Sequence, residues 1–263
     1  MSRFAILIDA GYLMAWGAER RAGGRAPRSA ASCSYAALVA ALKRDCQAVV
    51  PSEDLLRIYW YDGAPQAGPT ADQMTIGALD DVKVRLGRLS RREQKGVDTL
   101  IVLDLTTLAR ERSISTAFLL SGDEDIREGV VVAQQLGVRL VLGCLQPPPG
   151  RANQAETLMR EADRLLDVTA NMEPHFTHVP TPPFLAGQVF AQNWLQSPNG
   201  QLLANQVSTQ KQQGNLTIPQ AIDAQLQAAG LATLGPVPLA APLTRLEDWH
   251  RRELRRGFWN VVP

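Results

Sequence analysis

Ile114-Ser-Thr-Ala-Phe-Leu-Leu-Ser-Gly-Asp-Glu-Asp125 is the stretch on which the fold turns. Ile114 to Leu120 is nearly continuous apolar chain, which reads as a strand buried on both faces. Ser121-Gly122 then lets the backbone bend, and helical spacing begins at Asp125, runs to Leu136 and stops at Gly137. The same signature recurs on both sides. Val138 to Cys144 is a second buried strand, Phe4 to Ile8 a third, ending in Asp9, and Leu55 to Tyr61 a fourth, closed by Asp62-Gly63 and a Gly/Pro-rich loop. Val82 to Leu89 alternates apolar and basic residues and reads as an edge strand. Helical spacing appears at Tyr35–Val49, Val97–Ala109 and Ala152–Leu166, while residues 17–34, rich in Gly, Arg, Ala and Ser, read as a loop. Strands alternating with helices through about residue 165 imply an α/β fold with a mostly parallel sheet and helices on both faces.

Composition bounds the rest. The chain has 263 residues, 45% hydrophobic, enough for a sizeable core. Its net charge is only +1, so any anionic polymer must be met locally rather than by a global field. Three cysteines, Cys33, Cys46 and Cys144, form no CxxC pair and argue against a disulfide framework or a zinc site. The N-terminal apolar run is short and ends in an acid, unlike a signal peptide, and no stretch approaches the ~18 apolar residues of a membrane span. A cytoplasmic location is the expectation. From Val168 to Thr244 charge nearly vanishes, leaving only Glu173, Lys211 and Asp223, and Gln and Pro become common. Residues 1–170 are therefore expected to form one domain. Residues 171–263 are expected to form a small, mainly helical second one, with helices at Gly187–Leu195 and Ile218–Leu231 and a possible winged-helix-like arrangement.

Asp9, Asp123 and Asp125 fall just past buried strands, where an open α/β sheet binds its ligands. Asp98 opens the helix leading into the strand at Ile114. Clustered carboxylates repel one another, so a divalent cation is their natural partner, and all-oxygen ligands favour Mg²⁺ or Mn²⁺. The ordinary alternative is helix capping, which accounts readily for Asp98, Asp123 or Asp125 singly and least readily for Asp9.

The ordered set Ile6-Leu-Ile-Asp-Ala-Gly-Tyr-Leu, Gln94-Lys-Gly-Val-Asp-Thr-Leu-Ile-Val-Leu-Asp, Phe118-Leu-Leu-Ser-Gly-Asp-Glu-Asp-Ile and Gly137-Val-Arg-Leu resembles the NYN domain family, in its LabA/DUF88-like form, a branch of the PIN-like nuclease superfamily. The resemblance covers most of residues 4–145. It implies a Rossmann-like PIN-type fold and a metal site carried by Asp9, Asp98, Asp123 and Asp125. Asp104 also matches a frequent family acid. It lies roughly 240° around an ideal helix from Asp98 and ranks second. Many relatives carry Asn shortly after the first Asp, whereas this chain has Ala10-Gly11-Tyr12. The implied activity is metal-dependent hydrolysis of a phosphodiester, with single-stranded RNA favoured as partner and DNA open.

Ser121 and Lys95 are candidate phosphate or water contacts, and Arg85, Arg88, Arg91 and Arg92 line a basic stretch leading into Asp98. The bland reading of that stretch is a charged edge strand that resists aggregation. The C-terminal run from Trp249 to Trp259 mixes Arg with aromatics. It reads either as a single-strand-binding surface or, more simply, as an amphipathic helix docking on its own domain. Two rivals stand against the nuclease reading. A haloacid-dehalogenase-type phosphatase needs a second acid two residues after the first, where Gly11 stands, which argues against it. A non-catalytic nucleic-acid- or protein-binding module on the same fold remains open.

Overall fold

The computed structural model describes residues 2–65, 67–88, 96–147, 152–234 and 246–263. The chain divides into two compact units, one of residues 1–23 with 31–177, the other of residues 24–30 with 178–263.

The first unit is built on a six-stranded sheet of β1 (Arg3–Asp9), β3 (Asp54–Ala64), β4 (Val82–Arg88), β5 (Thr116–Leu120), β6 (Arg139–Cys144) and β7 (Arg164–Asp167), with β2 (Ala31–Cys33) and β8 (Phe176–His178) in a separate two-stranded sheet and α7 (Thr169–Met172) after β7. The order in the six-stranded sheet is β4-β3-β1-β5-β6-β7, and every pairing in it is parallel. The chain builds outward from β1 to β3 and β4, then returns to place β5 on β1's other side. That reversal of winding makes the gap between the carboxyl ends of β1 and β5 the place where such sheets bind ligands.

Period-two alternation sorts the β1 side chains. Ala5 and Leu7 join a core with Ile101, Leu105 and Leu108 of α4 (Val97–Arg110) and with Val130 and Ala133 of α5 (Arg127–Gln135). Ile6 faces the other side, around a small void shared with Leu42 and Cys46 of α2 (Tyr35–Val49) and with Phe118. Each fully buried Leu, Ile or Phe contributes roughly 1.5–3 kcal/mol, so the two-sided strand holds the unit together.

The expected strands and the helices at Tyr35–Val49 and Val97–Ala109 are present. Four readings change. Residues 17–34 are not all loop: α1 (Ala10–Ala22) runs through the first third of them. Glu19, Arg20, Arg21 and Ala22 are good helix formers, and Gly23 at φ 71° is the stop itself, its N–H donating to the Glu19 carbonyl. In the Gly/Pro-rich loop, Thr70 and Gln73 form a capping box that starts α3 (Ala71–Gly77). The helix expected from Asp125 begins as a single 3-10 turn, Glu124–Ile126, before α5. Finally, the helix expected over Ala152–Leu166 is only α6 (Glu156–Glu161), and Arg164–Asp167 is the sixth strand. Asp163 accepts the Leu140 N–H at 2.7 Å and so docks β7 on β6. Because β7 is an edge strand with Leu165 exposed, its short apolar pair imitates helical spacing.

The second unit contains α8 (Pro182–Gln196), α9 (Pro198–Gln212), α10 (Gln220–Leu234) and α11 (Asp248–Val261). Ser197-Pro-Asn-Gly both stops α8 and starts α9. Ser197 accepts the Gly200 N–H at 3.0 Å, and Pro198 sits at the first helical position, where it needs no hydrogen bond. Phe258 and Trp259 are buried among Trp194, Ile222 and Leu226, so the C-terminal aromatics serve their own core. No helix among the described residues is long and apolar enough to cross a membrane.

Gly187 and Gly257 let α8 and α11 cross closely. A Cβ on Gly257 would lie 2.0 Å from the Phe184 carbonyl oxygen, and one on Gly187 would lie 2.1 Å from that of Leu254. Gly257→Val is expected to lower the unfolding free energy by about 1–3 kcal/mol or more. Denaturant titration checks this, and an unchanged midpoint would contradict the close crossing.

Candidate metal centre

Ile8 pairs with Leu120 in the β1–β5 register. The next residues, Asp9 and Ser121, therefore emerge side by side from the two strands. The fully buried Ser121 hydroxyl donates to Asp9 Oδ2 at 3.0 Å and accepts the Asp123 N–H at 3.3 Å. Asp9 Oδ1 accepts the Tyr12 N–H at 3.2 Å, which makes Asp9 the N-cap of α1. The acid least expected to be a cap is therefore one, because α1 starts at the very next residue. Asp123 likewise accepts the Asp125 N–H at 3.0 Å. Burial pushes the Asp9 carboxyl above the usual range, and the charge of Asp123 adds to that. The hydrogen bonds from Tyr12, Ser121 and Gly11 pull it back.

Asp98 stands in the first turn of α4. Its carboxyl is pushed up to about 6, first by burial and then by the charges of Asp123, Asp9 and Asp125. The four acids thus feel one another across three separate segments of chain. Among the described residues, the carboxylates of Asp9 and Asp123 are met by hydrogen bonds rather than by a cationic side chain. Such a set, oxygen-only and repelling itself, suits a hard divalent cation. Among the described residues, no three His, Cys, Asp or Glu side chains already form a ligand group. Asp123 and Asp125 are exposed, so their side chains retain rotamer freedom.

Asp104 and Arg85 pair with each other instead. The Arg85 guanidinium reaches both Asp104 oxygens, at 2.9 and 2.6 Å, and the Tyr61 hydroxyl donates to the same carboxylate at 3.0 Å. Asp104 is nearly buried. The secondary metal acid and a proposed phosphate contact therefore neutralise one another on the β3–β4 edge. Arg88 ends β4, and Arg91, Arg92 and Lys95 lie outside the described residues. Gly87 lies directly against Gly96 and Val97, where an added Cβ would meet the Val97 nitrogen at 3.0 Å. The end of β4 and the start of Asp98's helix are therefore neighbours.

Sequence reasoning missed the residues that hold the turn. Gln154 Nε2 donates to the Ser121 carbonyl at 2.8 Å and the Gly143 carbonyl at 3.0 Å, tying the ends of β5 and β6 together. The Ala155 N–H donates to the Gly122 carbonyl at 3.0 Å. Asn153 Nδ2 donates to the Leu145 carbonyl at 2.7 Å and to the Tyr12 hydroxyl at 3.3 Å. A Cβ on Gly122 would lie 2.2 Å from the Asn153 carbonyl oxygen, so glycine is required there for close approach. Nothing in the local pattern of Asn153-Gln154 marks this role. The one available signal was Gly122 itself, between a strand and two acids.

The NYN domain model matches residues 3–169. The uncharacterized protein y4oD of Sinorhizobium fredii (strain NBRC 101917 / NGR234) is 54% identical over 95 residues, 36% of this chain and 44% of that protein. The match thus spans less than half of that relative's length. Among solved structures, a protein of unknown function, VPA0982 from Vibrio parahaemolyticus RIMD 2210633, is similar at 16% identity and a TM-score of 0.43, over 65% of this chain and 95% of its own. The nicotinamidase SaPncA from Staphylococcus aureus is similar at 14% identity and a TM-score of 0.27, over 61% of this chain and 92% of its own. Neither likeness is close enough to place a residue.

Asp98 gives the cluster a pH signature. Its folded-state carboxyl holds the proton to a higher pH than the unfolded 3.8, so the protonated form adds stability that is full below about pH 3.8. That stability is lost as pH rises through about 6. In chelator-treated buffer, Asp98→Asn is expected to unfold at a higher temperature than the parent at pH 8, with the gap closing by pH 4. A variant less stable than the parent at pH 8 would show that Asp98 is not under repulsion.

Proposed function

This chain belongs to the NYN domain family, and from that premise we propose that it is a metal-dependent nuclease, a ribonuclease acting on single-stranded RNA. One observation supports the reading above the others: four aspartates from three chain segments share one field of negative charge at the point where the sheet reverses its winding. Asp9, Asp98, Asp123 and Asp125 would hold the cation. Mg²⁺ or Mn²⁺, when bound, supplies a water of lowered pKa and stabilises charge developing on phosphate oxygens.

The chain's own residues supply the rest. Asp9 is held by the Tyr12 N–H and the Ser121 hydroxyl, so its position is set before any ligand arrives. Asp98, with its carboxyl near 6, is suited to exchange a proton with water at neutral pH. Asp123 and Asp125 are exposed beyond the turn, where a strand of nucleic acid would reach them. Ser121 is too buried to touch substrate and acts as a positioning residue. Phosphate contacts fall to Arg88, Arg91, Arg92 and Lys95, which the sequence places between Gly87 and Asp98, rather than to Arg85, which Asp104 occupies.

The wild type is expected to degrade single-stranded RNA in Mg²⁺ or Mn²⁺ and to stop when chelated. Asp123→Asn is expected to lower the rate by at least about 100-fold while circular dichroism stays unchanged. Equal degradation by parent and variant would remove this site from the reaction. Binding of RNA without cleavage in either metal would favour the rival, a nucleic-acid-binding module on the same fold. Parallel assays with single-stranded DNA decide between the two polymers.

A further inference from the structure

Tyr12, Ala15, Trp16 and Glu19 stand at positions i, i+3, i+4 and i+7 of α1 and therefore share one face of that helix. This face lines a cavity of about 230 Å³ whose opposite wall carries Pro147 and Asn153. The cavity adjoins the acidic cluster through residues the two have in common. The Tyr12 backbone N–H caps Asp9, and its ring lies 3.0 Å from where a Gly122 Cβ would stand. The Asn153 backbone oxygen presses on the same glycine from the other wall.

We infer that this cavity is a nucleobase subsite, receiving the base of a nucleotide next to the phosphate held at the acids. Its chemistry fits a base better than other ligands. The part-exposed Tyr12 ring offers stacking surface, which is sequence-tolerant because every base has a π-face, while the buried Trp16 closes the apolar floor. The Trp16 indole N–H is already donated to the Gln146 carbonyl at 2.8 Å, so the ring contributes apolar surface only. The Asn153 amide nitrogen is committed to Leu145 and Tyr12, and its carboxamide oxygen is an acceptor suited to the N–H groups of a heterocycle. Glu19 is the charged lining residue among those described, and its negative charge disfavours a phosphate. The volume lies below the roughly 300–1,000 Å³ of pockets that enclose larger ligands, so it takes one base, not a dinucleotide.

The identity of the ligand rests on the nuclease reading, but the test does not need cleavage. Calorimetric titration of the metal-free protein with adenosine, guanosine, cytidine and uridine is expected to show saturable binding of at least one, with Kd at or below about 1 mM. Ala15→Trp fills the cavity from an exposed helix position and is expected to weaken that binding at least about tenfold. Tyr12→Leu removes the stacking ring, keeps the backbone N–H to Asp9, and is expected to weaken it as well. Absence of binding by all four nucleosides, or undiminished binding in both variants with folding confirmed by circular dichroism, would overturn the inference. Nucleoside binding without metal-dependent cleavage leaves the subsite standing and sinks the nuclease reading. Cleavage without nucleoside binding does the reverse.

Discussion

The hydrogen bond from Ser121 to Asp9 is the contact on which the site depends, and parallel pairing dictates it. Once Ile8 and Leu120 are register partners, the next residue of each strand must leave the sheet at the same level. One of those residues is a carboxylate driven into the protein by the start of α1, and the other a fully buried hydroxyl. A buried carboxylate without donors is strongly disfavoured. Here a hydroxyl and a helix N-terminus provide them, and the helix's unpaired N–H groups favour negative charge at that spot. The same Ser121 oxygen accepts from the Asp123 backbone and so ties the second acidic segment to the first. A single side chain thereby couples the ends of two strands whose connecting chain is more than a hundred residues long.

Two other acids, Asp104 and Asp223, are handled differently. Asp104 has a two-point contact with Arg85 and a hydrogen bond from Tyr61. Asp223 has a two-point contact with Arg255, at 2.7 Å to each oxygen, and the guanidinium holds its carboxyl below the usual range. Such charge-assisted pairs are strong and geometrically specific, and they leave no charge to be met by anything else. Among the described residues, no cation appears in the groups that shift Asp9 or Asp98. That contrast sets these acids apart from the two arginine pairs. It also shows why Arg85, read from sequence as a phosphate contact, is better understood as the partner of Asp104.

The sheet was legible because buried parallel strands carry their own signature. Phe4 to Ile8, Leu55 to Tyr61, Ile114 to Leu120 and Val138 to Cys144 are apolar on both faces, and nothing else in a chain of this composition looks like that. Their acids were legible because a charge at the end of such a run is out of place. What failed were segments whose signal was compositional or shared. Glu19 to Ala22 are helix formers that happen to adjoin glycines. Leu165 and Leu166 satisfy a helix as well as an edge strand. Ser197-Pro-Asn-Gly both ends one helix and begins another. The hydrogen bonds of Gln154 and Ala155 to the Ser121-Gly122 turn were beyond reach, because they pair residues 33 positions of chain apart with no periodic trace.

Those last contacts change what the site consists of. The acids alone describe a charge; the segment after β6 gives it a floor and a side. Gln154 fixes the height of the Ser121 turn against β6, and Asn153 leaves no room for a side chain at Gly122 while reaching the Tyr12 hydroxyl. Tyr12 then belongs to both neighbourhoods, its backbone holding Asp9 and its ring walling the adjacent cavity. The result is graded in rigidity. Asp9 and Ser121 are buried or nearly so and held at two points each, whereas Asp123 and Asp125 are exposed beyond a glycine. On the proposed reading both properties are useful, a fixed ligand to define the place of a hydrated cation and freer ones to complete its shell.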